Sequence, residues 1–135
     1  MKKDPQVELF KALNEMLTEA LDCPVYTEIA ANASYPSWVV ISQYNGAPLG
    51  SKTHYATNTS WLIEVFTAER DVISNNEIVN TICSTINPYK GREIELDNFY
   101  VNVLLEPTVT AFTENNERGM VYRSQLRYSA QIDQK

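Results

Sequence analysis

Histidine is nearly absent from this sequence: His54 is the single one among 135 residues, accompanied by two cysteines and four glycines. Any Ser/His/Asp or Cys/His arrangement must therefore use His54, which lies in a polar stretch beside Thr53 and Tyr55 where a held catalytic geometry is not expected. Two cysteines and one distant histidine do not supply four soft zinc ligands. Cys23 and Cys83 stand singly, in no CxxC or Cys/His spacing, and read as reduced, buried thiols. Glycine is equally sparse. Gly46, Gly50, Gly91 and Gly119 each mark an expected turn, and no Walker loop, GxGxxG, GxSxG or HExxH pattern occurs. No apolar run approaches the roughly 18 residues of a membrane-spanning helix, and Met1-Lys2-Lys3-Asp4-Pro5 does not open a signal peptide. Basic residues are also in deficit, eleven against seventeen acidic, for a net charge of −6 and a pI near 4.7. That balance disfavours a large phosphate-neutralising surface. No catalytic group, cofactor or metal is expected.

What is present is ordinary globular material, 44% hydrophobic and 21% charged, in a length that suits one domain. Asp4-Pro5 starts a helix, because a carboxylate accepts from free first-turn amides and proline's φ suits the first turn. Val7, Phe10, Leu13, Leu17, Ala20 and Leu21 continue it at helical spacing to about Leu21. Val25–Ile29 is a short extended segment. Ser37–Tyr44 is a β-branched strand that Asn45-Gly46 is expected to stop. From Ala47 to Ser60 the composition turns to Gly, Ser, Thr, Asn, Lys and His without core periodicity, and Thr59–Thr67 then resumes a strand. Residues 47–60 therefore read as a projecting hairpin arm. Ser74-Asn75-Asn76-Glu77 has the form of a capping box and predicts a second helix over about Asn75–Ile86. Glu93–Leu96 and Phe99–Leu105 read as strands. In the last strand Met120, Tyr122, Leu126, Tyr128, Ala130 and Ile132 alternate with Arg123, Gln125, Arg127, Ser129 and Gln131. The fold class is α+β: a single domain over 1–135, with an antiparallel-rich sheet of about five strands, two helices on one face and a long protruding β-hairpin arm.

Glu93 with Glu95, and Glu114 with Glu117, are the carboxylate pairs able in principle to divide acid and base roles, but beside a loop or in a turn such residues read as solvated. Tyr122 and Tyr128 with Arg123 and Arg127 have the makings of an aromatic-basic nucleic-acid platform. Alternation places the rings and the guanidinium groups on opposite faces, so stacking and phosphate contact do not share a surface. The features left over are surface features. Leu49, Lys52, His54 and Tyr55 on the arm, with Arg123 and Arg127 on the polar face of the last strand, are the candidate subunit or partner interface.

Two stretches carry a family resemblance. The first runs from a helix ending in Leu21-Asp22-Cys23-Pro24-Val25-Tyr26 to Tyr35-Pro36-Ser37-Trp38-Val39-Val40-Ile41, an aromatic-proline pair leading into a strand. The second is Ser60-Trp61-Leu62-Ile63-Glu64-Val65-Phe66-Thr67 followed by the helix of Ser74–Ile86. This order resembles the tail-terminator and head-to-tail joining (neck, connector) proteins of tailed bacteriophages. It covers about Pro5–Ile86, and the remainder matches by strand count. The resemblance implies a structural virion protein, made in the host cytoplasm, whose subunits close into a ring, commonly sixfold with twelvefold as the alternative. Such a ring sits at a tail terminus or neck among portal and tail proteins, and DNA passes through its lumen. An acidic channel lets DNA pass without sticking, and a heterologous contact between identical subunits suits a projecting arm. The residues alone leave two other classes open: a small protein-binding or regulatory module using the sheet face, and an enzyme built on the carboxylates.

Overall fold

The structure, a computed structural model, describes residues 3–27, 36–51, 54–68, 70–89, 93–116 and 119–135. Helix α1 spans Gln6–Ala20 and α2 spans Val72–Thr85. The strands are β1 Val25–Tyr26, β2 Trp38–Ser51, β3 His54–Ala68, β4 Phe99–Leu104, β5 Thr108–Asn116 and β6 Gly119–Gln134. All six join one sheet in the order β1-β2-β3-β6-β4, with β5 also paired to β6. Only the β1–β2 pair is parallel. The fold is thus α+β with a mostly antiparallel sheet and two helices. The sixth strand arises because β4 and β5 line the same edge of the long β6 one after the other, at Phe99↔Gln134 to Leu104↔Ala130 and then at Thr108↔Arg127 to Asn116↔Gly119.

Both helices cover one face. Leu9, Leu13, Met16 and Leu17 of α1 and Val79 and Ile82 of α2 close over Val39, Ile41, Trp61, Ile63, Val65, Leu126, Tyr128 and Ile132 in one core. Trp61 and Tyr128 stack at its centre, with ring centroids 5.6 Å apart and planes 7° apart. Burial of two such rings contributes several kcal/mol at about 25 cal/mol per Å². The Tyr128 hydroxyl donates to the Ile86 carbonyl, and burial pushes its pKa well above the ordinary phenol value. Cys23 and Cys83 are free and half-buried, and burial raises both thiols, which makes them weak nucleophiles.

Several sequence expectations need correction. The face of α1 that enters the core is Leu9-Leu13-Met16-Leu17, which keeps Leu13 and Leu17 of the expected stripe, whereas Val7, about 160° around the helix from Leu9, is 79% exposed. Helix α2 begins a turn earlier than the capping box implies. Its cap is Asp71, whose carboxylate accepts from the Ser74 amide at 3.2 Å, so Asn75 lies inside the helix. Asn45-Gly46 does not end β2. The register shifts between Ser42 and Asn45, with Gln43 at φ 50°, and the strand continues to Ser51. Glu93–Leu96 is reduced to a single bridge, Glu95↔Tyr100.

The arm is the largest correction. Residues 45–51 pair with 54–60 throughout, and Ala56–Ser60 pair in turn with Asp133–Ser129 of β6. Ala56, Thr57 and Thr59 are buried, and the Thr59 hydroxyl donates to the Ala130 carbonyl at 2.9 Å. Small polar residues here satisfy a covered strand rather than a free loop, so residues 56–60 do not protrude and a long arm over 47–60 is not confirmed. The β2–β3 tip, Leu49–Ser51 facing His54–Tyr55, runs past the end of the β3–β6 pairing. Of that tip, Lys52 and Thr53 lie outside the described residues.

The N-terminal turn of α1 is tied to the far end of the sheet. The Asn98 amide and its side chain both donate to the Glu8 carboxylate at 3.0 Å. Burial works to raise the Glu8 pKa, and the bonds from Asn98 outweigh it, so the group sits below its ordinary 4.5. A carboxyl depressed in this way stabilises the fold above its unfolded pKa, and that contribution disappears as pH falls through the folded value. Glu8→Gln is expected to flatten the acid-side fall in melting temperature below about pH 4.5. Circular-dichroism melts across the acid range check it, and an unchanged slope rules the linkage out.

Candidate assembly surface

The face of the sheet that carries no helix holds a second, differently built cluster. Alternation along β2, β3 and β6 sends Trp38, Val40, Leu62, Glu64, Phe66, Val121, Arg123, Gln125 and Arg127 to this side, and register brings them together across the strands. Trp38 lies opposite Phe66, Phe66 opposite Arg123, and Arg123 opposite Phe112 of β5. Trp38 and Phe66 stack with centroids 5.1 Å apart and planes 8° apart. The Arg123 guanidinium carbon then sits 5.1 Å from the Phe66 centroid and 5.7 Å from that of Phe112, a cation held against two rings.

Two carboxylates hold the same guanidinium. Its Nη1 donates to both oxygens of Glu114, at 2.7 and 2.8 Å, and Nε donates to Glu64, which also accepts from the Gln125 amide at 3.4 Å. Glu64 is 5% exposed and Arg123 is half-buried. Burial works against the charge on Arg123, and the hydrogen bonds it donates to Glu64 and Glu114 outweigh this and raise the pKa. One arginine thus ties β3, β6 and β5 together on this face. Planar, multiply hydrogen-bonded geometry of this kind is specific to arginine.

The interface residues expected from sequence fall into two groups that the fold keeps apart. Leu49 and Tyr55, each 42% exposed, lie at the β2–β3 tip, where Gly50 pairs with Tyr55 and Ser51 with His54. Lys52 lies outside the described residues. Arg123 and Arg127 occupy the helix-free face, toward the other end of β3, opposite Phe66 and Leu62. Arg123 is engaged by its two carboxylates. Arg127 is exposed and donates to the Gln43 side-chain carbonyl at 3.4 Å. The alternation placing Tyr128 and the arginines on opposite faces is observed. Sequence reading missed Glu64, Phe66 and Phe112 as partners of Arg123; a glutamate inside the apolar run Trp61–Phe66 was the available signal.

Of the carboxylates considered for acid–base chemistry, Glu114 is occupied by Arg123, Glu93 and Glu95 are exposed, and Glu117 lies outside the described residues. The groove beside Glu93 and Glu95 contains Tyr100, over whose ring the Lys135 ammonium sits at 4.8 Å while donating to the Leu96 carbonyl. Among the described residues no group of three or more His, Cys, Asp or Glu side chains is placed to hold a metal ion, and no helix is long and apolar enough to cross a membrane.

No protein-family model matches the sequence, and no curated protein matches it. The fold does have a counterpart among solved structures. A chain of the virion of a native gene transfer agent particle superposes with a TM-score of 0.77, covering 98% of this chain and 99% of that one at 14% sequence identity. The two chains share their fold from end to end.

Proposed function

We propose that this chain is a structural subunit of a phage-like virion, and that it closes into a ring at the tail end or in the neck, where it joins head to tail and lets DNA pass. The observation that carries the reading is the end-to-end likeness to a chain of a gene transfer agent virion. The sequence resemblance to tail-terminator and joining proteins, carried by Leu21–Ile41 and Ser60–Ile86, supports the neck or tail-end position. A net charge of −6 suits a lumen that DNA crosses without adhering. The exposed Leu49 and Tyr55 at the β2–β3 tip are the side chains offered to a neighbouring subunit.

Native mass spectrometry and negative-stain microscopy test the reading, on the purified chain alone and mixed with portal and tail-tube proteins of the same particle. Rings of six or twelve are expected. A strict monomer that binds none of those proteins overturns it. Excising 47–60 is the wrong perturbation, because Ala56–Ser60 are laddered to β6. The double variant Leu49→Glu/Tyr55→Glu is expected to abolish rings while changing stability by no more than about 0.5 kcal/mol. A non-enzymatic module that binds a protein through its helix-free face is the second reading, favoured by the Trp38–Phe66–Arg123 cluster there. Such a module keeps its affinity in the tip variant.

A further inference from the structure

Among the described residues, strand β5 is an unguarded sheet edge. It packs on β6 and on no other described element, and Thr108–Thr113 is an uncharged run exposed on both faces, with Val109 46% and Phe112 36% exposed. An edge of this kind presents a row of unpaired backbone donors and acceptors, and folded proteins blunt it with lysine, proline, a bulge or a covering segment. The rest of this sheet is blunted in those ways. Tyr100 of β4 is bridged by Glu95, and β1 covers Val39 and Val40 of β2. Beyond β1, the outer side of β2 carries the irregularity at Ser42/Asn45 and then Pro48, which has no amide proton to offer. From Thr108 to Asn116 there is no lysine, arginine, proline or glycine.

We propose that the β5 edge pairs antiparallel with β5 of a second copy of this chain, about a twofold axis at Ala111. Counting from the terminal pair Asn116↔Gly119, which a two-residue connection makes mutually hydrogen bonded, the even residues of β5 turn their amides toward β6. Val109, Ala111, Thr113 and Asn115 turn theirs outward. Pairing Ala111 with itself then sets Val109 opposite Thr113 and Thr108 opposite Glu114 of the second copy. Charge selects this register. Arg127 lies across Thr108 on the same face, exposed and held by no carboxylate among the described residues, so its long side chain reaches over Thr108 to Glu114 of the second copy, a carboxylate 33% exposed that can accept a further bond beside that copy's own Arg123. The twofold axis makes that contact twice. Sliding by two residues in one direction sets Glu114 against Glu106 instead. Because an isologous contact closes on itself at two copies, the pairing does not rest on the ring reading.

The experiment uses the full chain. Ala111→Cys under mild oxidation, or with a short bis-maleimide, is expected to give covalent pairs and nothing longer, in free protein and in any larger assembly alike; wild type gives none. Sedimentation equilibrium is expected to show wild type dimerising in the micromolar range, weakened at least about tenfold by Ala111→Pro, which removes only an outward amide. Should Ala111→Pro fail to fold, Val109→Lys, a surface change, is expected to weaken the dimer similarly. Three outcomes overturn the proposal. One is an Ala111→Cys variant that yields no covalent pairs beside a wild-type chain that stays monomeric at high concentration, which leaves the edge to a foreign strand. Another is a dimer that neither variant weakens. The third is cross-linking into ladders longer than two.

Discussion

Asn75→Ala is expected to lower the unfolding free energy by about 3 kcal/mol and the melting temperature by roughly 10 °C. Asn75 is fully buried inside α2, and its side-chain amide faces the Val65 carbonyl at 3.2 Å, the Thr67 hydroxyl at 3.2 Å and the Tyr122 carbonyl at 3.1 Å. Two amide protons serve three acceptors, so one is shared. The Asn75 carbonyl accepts from the Ser124 hydroxyl, and Thr67 donates onward to the Asp71 carbonyl at 3.2 Å. Truncation strands this whole set away from water, where each unsatisfied group costs about 1–3 kcal/mol. Asn75→Asp is expected to cost at least as much, since it turns carboxylate oxygens toward two carbonyls. Asn76 and Asn80 lie on the exposed side of the same helix, and their replacement by alanine is expected to stay within about 0.5 kcal/mol. Urea unfolding of the four variants checks the contrast. A loss for Asn75→Ala no larger than for Asn76→Ala would falsify the latch.

The second large effect concerns the arginine on the opposite face. Arg123→Met leaves Glu64, 5% exposed, with only the Gln125 amide at 3.4 Å among the described residues, and is expected to cost about 3–5 kcal/mol. Most of that loss belongs to the stranded carboxylate rather than to the pair itself. The double variant Glu64→Leu/Arg123→Met is accordingly expected to recover to within about 1 kcal/mol of wild type or to exceed it, because an apolar replacement of a buried ion pair is often neutral or stabilising. Arg123→Lys should not rescue, since an ammonium cannot hold both Glu114 oxygens and Glu64 in one plane. A double-mutant cycle by chemical denaturation reads the coupling. If the single and double variants lose the same amount, the cluster is not coupled in this way.

Assembly defects and folding defects are separable on this map. Asn75 and Glu64 are interior positions whose loss lowers stability everywhere, whereas Leu49, Tyr55, Val109 and Arg127 are exposed and alter contacts between molecules. A variant of the second kind that loses assembly should keep its melting temperature. Stability measured beside oligomeric state therefore distinguishes the two kinds of failure.

Local rules carried far in this chain where one periodicity dominated. The alternation in β6 correctly sends Leu126, Tyr128, Ala130 and Ile132 to one face and Arg123 and Arg127 to the other, because a period of two leaves no choice once one face is covered. The helices were legible as helices, but α2 starts at Asp71 rather than Ser74, since two adequate caps lie one turn apart and packing of Asn75 on β3 and β6 chooses between them. Asn45-Gly46 carried a turn signal that the sheet overrode by a register shift.

The sequence by itself determined the α+β class, the absence of familiar catalytic and cofactor motifs, the acidic balance and the two-faced last strand, because each follows from composition or from short-range periodicity. Only the tertiary structure decided that residues 56–60 belong to a covered strand, that Glu64 and Glu114 converge on Arg123 across separations of 59 and 9 residues, and that β5 is left with an open edge among the described residues. Those three depend on which strands become neighbours and in what register. Long-range pairing sets that, and residue spacing along the chain does not encode it.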